Sequence, residues 1–215
     1  MMKPSWAKGA VAVSAAMLVA GAASASPWHV GARGGINVSS LRGAFADVSD
    51  PRWQVTPTVG GFMEAEVAPA LSLGVEVNYV QKGAKFGGTG TDETGNPTAA
   101  LEAHLVLEYA DVPILLRVLL PETGPVRPYV VAGPTFGFAL NGTVRSKGMT
   151  DRNVGDDMKT LDVGATGGVG VRIAAVGSSL DVEARYATSF SDLWDVSGNL
   201  ESINQGFSLT LAVSR

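Results

Sequence analysis

"LSLGVEVNYV", residues 71–80, sets Leu71, Leu73, Val75, Val77 and Tyr79 at odd positions and Ser72, Gly74, Glu76 and Asn78 at even ones. Successive side chains leave a pleated backbone on opposite sides, so this alternation describes a strand with two unlike faces. The same pattern recurs along the chain. In 28–39, Trp28, Val30, Ala32, Ile36 and Val38 oppose His29, Arg33, Asn37 and Ser39; in 57–68, Val59, Met63, Ala65 and Val67 oppose Glu64 and Glu66. The opening stretch extends to Lys82 on its polar face. In 101–119, Leu105, Leu107 and Tyr109 are read as the apolar face and His104 and Glu108 as the polar one, with a break expected at Pro113. Segment 127–142 is apolar on both faces and contains Pro134, which predicts a second break. In 158–175, Asp162, Thr166 and Arg172 form the polar face. Asp181, Glu183 and Arg185 do so in 179–191, and Ser208, Thr210 and Ser214 in the last segment.

Eight such segments are joined by connections that alternate in length. The long ones are 40–56, 84–100, 143–157 and 192–204; the short ones lie at Pro69, at "LPETGPV" and at Val176-Gly177. This order predicts an eight-stranded antiparallel up-and-down transmembrane β-barrel with all long loops at one end and both termini at the other. A two-residue turn at Val176-Gly177 would set Arg172 opposite Asp181.

Alternation alone does not say which face is outside. Three features favour a lipid-facing apolar wall. Tyrosines at 79, 109, 129 and 186 suit an interfacial girdle. The polar faces mix signs, as a narrow interior with paired charges requires. A one-residue slip would also move Arg or Lys to the bilayer midplane at roughly 2–4 kcal/mol each. The expected lumen charge network is Arg33, Glu64, Glu66, Glu76, Lys82, Glu108, Asp162, Arg172, Asp181, Glu183 and Arg185. Glu76 is expected to point into the barrel, and Val75 and Val77 into lipid.

Residues 1–25 read as a cleaved signal peptide: Lys3 and Lys8, an apolar run, then Ala23-Ser24-Ala25. The mature domain, 26–215, keeps fourteen basic and twenty acidic residues, a formal charge of −6, which argues against nucleic acid as a partner. The absence of cysteine excludes a disulfide framework and a lipidated N-terminal Cys.

"GARGGINVSSL" (31–41), "LEYADVP" (107–113), "RPYVVAGPTFGF" (127–138) and "LDVGATGGVGV" (161–171) together resemble the PorT-like or porin-family outer-membrane β-barrel domain, similar in architecture to OmpA/OmpX-type barrels. The resemblance spans nearly all of 28–214 and implies fold and outer-membrane location. Such barrels usually end in an aromatic residue, whereas this chain ends at Arg215.

Other motifs carry little chemistry. "GGTGTDETG" (87–95) lacks the Lys-Ser/Thr of a phosphate loop. Asp92-Glu93 and Asp156-Asp157 lack the spacing of a calcium loop. His29 and His104, both assigned to the lumen face, have no convergent triad around them. The expectation is therefore a monomeric outer-membrane barrel with a polar, mostly filled lumen and four surface loops. Its role would be structural or in surface recognition, without enzymatic activity or a cofactor. The partners expected are outer-membrane lipid, the assembly machinery and a ligand or protein at the loops. The alternatives are a soluble periplasmic lipocalin-like barrel binding a small apolar ligand, or a narrow channel.

Overall fold

A computed structural model of the chain describes residues 28–43, 51–91, 97–121, 124–146, 150–155, 158–194 and 202–215, with backbone alone for 88–91 and 97–102. The leader 1–25 and the pairs Asp92-Glu93 and Asp156-Asp157 lie outside the described residues. The strands are β1 (Trp28–Arg42), β2 (Gln54–Ala68), β3 (Leu71–Thr91), β4 (Pro97–Leu119), β5 (Val126–Ser146), β6 (Arg152–Asn153), β7 (Leu161–Ala175), β8 (Ser178–Ser189) and β9 (Ile203–Ser214). Each of the eight long strands pairs antiparallel with its chain neighbours, and β1 pairs β9, so the sheet closes into an eight-stranded barrel. The two-residue β6 adds to the upper end of β5 through Thr143↔Asn153 and Val144↔Arg152.

Closure is staggered. Following the register from Trp28 through Ala65, Leu73, Leu116, Ala132, Gly167, Tyr186 and Phe207 returns to Val38, ten residues above the start. Strands in such a barrel must tilt, and a line of paired residues climbs toward the long-loop end as it passes from β1 to β9. Short turns fall at the opposite end, at 69–70, 120–125 and 176–177, where Gly177 takes φ +70°. The start of β1 and the last residue of the chain lie there too, because Val30 and Arg215 exchange two backbone hydrogen bonds of 3.0 Å. The ladder between β3 and β4 skips from Val75↔Ile114 to Asn78↔Asp111, beside Pro113. Between β4 and β5 it skips from Pro113↔Thr135 to Leu116↔Ala132, beside Pro134. A proline ring has no N–H to give at either place.

The outer wall is apolar and the inside of the lower half is charged. Glu76 is 2% exposed, whereas Val75 and Val77 are 42% and 56% exposed. Leu73, Val169, Leu209 and Leu211 join the outer face, while Glu64, Asp162 and Arg185 are buried within. A lipocalin-like barrel, with its apolar face inward, is the reverse of this arrangement.

Two expectations are corrected. The stretch 84–100 is mostly ladder: β3 runs to Thr91 and β4 starts at Pro97. The facing of β4 is also inverted in its upper half. Leu105, Leu107 and Tyr109 are buried inside, in phase with Leu115, Arg117 and Leu119, and Glu108 and His104 take the outward positions. The inside of the barrel is greasy at that height, which reverses the polarity from which facing was read. Tyr109 and Tyr129, each 1% exposed, are therefore lumen residues and not part of a girdle. Tyr186 does lie outside, 4.9 Å in ring centroids from Phe207, which lies 5.9 Å from Trp53.

Candidate functional site

Three layers fill the lumen. In the lower half, Arg33, Arg117, Arg172 and Arg185 meet Glu64, Glu76, Asp181 and Glu183, four cations against four carboxylates, all nearly inaccessible to solvent. Arg33 donates to both Glu76 oxygens at 2.6 and 2.7 Å, to Glu183 Oε1 at 2.7 Å and to Thr210 Oγ1 at 2.5 Å. Arg185 grips Glu76 from the other side at 2.8 and 2.7 Å and also contacts Glu183. Arg172 makes a two-pronged bond to Asp181 at 2.9 Å each and reaches Glu64 at 3.0 and 3.3 Å. Arg117 pairs with Glu64, and its guanidinium lies 4.5 Å from the centre of the Tyr129 ring. The Tyr129 hydroxyl donates to Glu183 Oε2 at 2.9 Å. Planar guanidinium forks suit this lattice because each can satisfy two carboxylates in fixed directions. Small residues make room for it: a Cβ on Gly170 would strike the Tyr129 ring, and one on Gly168 would crowd Arg185.

Above the lattice, Lys82 Nζ lies 3.0 Å from Asp111 Oδ1 and 3.3 Å from Asp162 Oδ2, and 4.5 Å over the Tyr109 ring. Asp162 also accepts from Ser189 Oγ at 2.8 Å, Ser191 Oγ at 2.9 Å and Asn204 Nδ2 at 3.4 Å. Beside this centre is a polar chamber of about 80 Å³, whose walls include Asn37, Asn78, Thr135, Thr166 and Thr210. It has room for several water molecules.

The third layer is apolar. Leu41, Ala84, Leu105 and Leu107 of the barrel pack with Val154, Met158 and Leu193, which come from the connections beyond β5 and β8. Backbone bonds hold this plug: Val154 N–H donates to Gly142 at 2.9 Å, and Lys159 N–H to Leu193 at 3.0 Å.

Of the expected network, Arg33, Glu64, Glu76, Arg172, Asp181, Glu183 and Arg185 come together in the lower lattice, and Lys82 and Asp162 in the centre above it. Glu66 does not join them. It meets His29 at 3.2 Å at the short-turn mouth, half exposed. Glu108 is on the outer side of β4, within 3.4 Å of Gln81. His104 is likewise outside, opposite Lys85 in the register. Arg117, Asp111, Tyr109 and Tyr129 went unassigned to the lumen; one parity carried through β4 from Tyr109 to Leu119 would have placed Asp111 and Arg117 there.

The family model described as outer membrane protein beta-barrel domain matches residues 17–195. No curated protein matches the chain. Among solved structures, Neisserial surface protein A is 14% identical over 89% of this chain and 98% of that one, with a TM-score of 0.52. OprG from Pseudomonas aeruginosa is 9% identical over 88% and 95%, with a TM-score of 0.45. Ail of Yersinia pestis, solved with the heparin analogue sucrose octasulfate, is 10% identical over 87% and 97%, with a TM-score of 0.43. At such identities the likeness speaks of the fold alone, and of these three the first carries it.

Proposed function

The chain belongs to the outer membrane protein beta-barrel domain family, and on that premise we propose that it is a closed, non-conducting barrel that works through its long-loop end. In this reading it is exported through a cleaved leader at 1–25, inserted by the outer-membrane assembly machinery, and acts as a monomer in structure or surface recognition. It has no catalytic role or cofactor. The PorT-like, porin-family resemblance is kept as part of the proposal, supported by the stretches that suggested it.

One observation carries the reading: the lower lumen is crossed by a charge-balanced lattice of four arginines and four carboxylates, with an apolar plug above it. An ion passing through would have to displace paired charges from a poorly hydrated interior, where each desolvated ion carries a penalty of several kcal/mol. An eight-stranded barrel has little width to spare beyond its side chains. Purified protein in planar bilayers is expected to show no stepwise currents of porin size. Steady large conductance from heat-modifiable, membrane-inserted protein would overturn the proposal.

A further inference from the structure

On the outer wall, above the apolar belt, four nitrogen-bearing side chains fall at one level of the register: Arg52, just before β2, then Lys85 on β3, His104 on β4 and Arg145 on β5. The backbones of Arg52 and Lys85 exchange two hydrogen bonds of 2.7 and 3.0 Å, Lys85 pairs with His104, and His104 pairs with Arg145. All four face outward. Ala84, Phe86, Leu105 and Val144, their chain neighbours, turn inward to the apolar plug. The Arg52 guanidinium lies over Gly87, where a Cβ would sit 3.6 Å from it. Arg52, Lys85 and Arg145 are exposed.

The position of the row limits what can meet it. It begins beside Trp53, one of the aromatic residues on the upper outer wall, and climbs from β2 toward β5 because the barrel is staggered. Three inter-strand steps make it about 14 Å long. What lies against the side of a barrel at that height is the headgroup layer of the outer leaflet and not a freely diffusing solute. Among the described residues the one carboxylate paired with the row is Asp151, 3.6 Å from Arg145, with both side chains largely exposed. Such exposed pairs are weak. With Asp151 set against Arg52, Lys85 and Arg145, the excess among the described side chains remains positive.

We propose that Arg52, Lys85, His104 and Arg145 form a lateral binding site for a phosphorylated glycolipid headgroup, one whose disaccharide carries phosphate at both ends. Arg and Lys donate charge-assisted bonds to phosphate oxygens, and a row of donors matches an elongated dianion better than a single phosphate. This rests on the outer-membrane reading given above.

The test is native mass spectrometry of the detergent-solubilised barrel with three probes: diphosphoryl lipid A, monophosphoryl lipid A and phosphatidylglycerol. Retention is expected in that order. The R52Q/K85Q/R145Q variant is expected to lose about tenfold in affinity for the diphosphoryl form, as loss of two or three phosphate contacts implies. Arg127→Gln, near the short-turn end, is expected to keep wild-type affinity. Heat-modifiable migration of each variant reports whether the barrel is folded; if the triple variant fails to fold, Lys85→Glu alone must show the selective loss. Equal retention of all three probes, or unchanged affinity in a folded variant, would overturn the site while leaving the barrel reading intact. Wild-type protein that is not heat-modifiable and fractionates as soluble would instead overturn the barrel reading itself.

Discussion

Glu183 shows how much a single lumen residue holds together. It accepts from Arg33 and Arg117, touches Arg185 and takes the Tyr129 hydroxyl bond. Replacing it with leucine leaves a buried cationic excess, and removing one partner from a buried ion pair is expected to cost about 3–5 kcal/mol. Urea unfolding in vesicles measures this; a loss under about 1 kcal/mol would mean that the lattice is hydrated and loosely coupled. The Arg172 and Asp181 pair offers a finer check. Arg172→Met and Asp181→Leu together should cost less than their separate losses combined, by about 1–3 kcal/mol, because each single change strands a charge. Strict additivity would contradict the contact. Gly170→Ala should also destabilise, by about 1–3 kcal/mol, since its methyl group would meet the Tyr129 ring.

At the scale of the strand, legibility depended on whether inside and outside differ in polarity. For β1, β2, the lower part of β3, and β7 to β9 they do, so Arg33, Glu64, Glu76, Asp162, Arg172, Asp181, Glu183 and Arg185 were readable from alternation alone. The Arg172 and Asp181 pair was readable from the length of one turn. Near the long-loop end the interior is apolar, and Leu105, Leu107 and Tyr109 look like a lipid face although they face the plug. That plug is assembled by Val154, Met158 and Leu193, whose arrival from distant connections leaves no periodic trace. The strand extension past residue 84 was hidden for a similar reason: glycine and threonine suggest a loop, while pairing with 97–105 makes a ladder. The facing of β7 predicts unequal outcomes for one charge. Val169→Arg, on the outer wall, should lower stability by roughly 2–4 kcal/mol or block insertion. Thr166→Arg, beside the polar chamber, should lower the membrane yield far less. Equal membrane yields would count against the facing.

At the scale of the whole barrel, the described residues form a cylinder, and in the reading proposed above its interior is closed twice, by charge below and by hydrocarbon above. The seals are independent, so Met158→Gly with Leu193→Gly should loosen the upper plug and still produce no large currents, because the lower lattice is untouched. The central claim, however, concerns polarity: the wall that meets lipid is the apolar one. The chain has no cysteine, so single cysteines can be placed without background along 72–79 and labelled with a fluorophore in vesicles containing brominated lipid. Quenching should be strong at 73, 75, 77 and 79 and weak at 72, 74, 76 and 78. Quenching in the opposite phase, or at every position equally, would contradict the account.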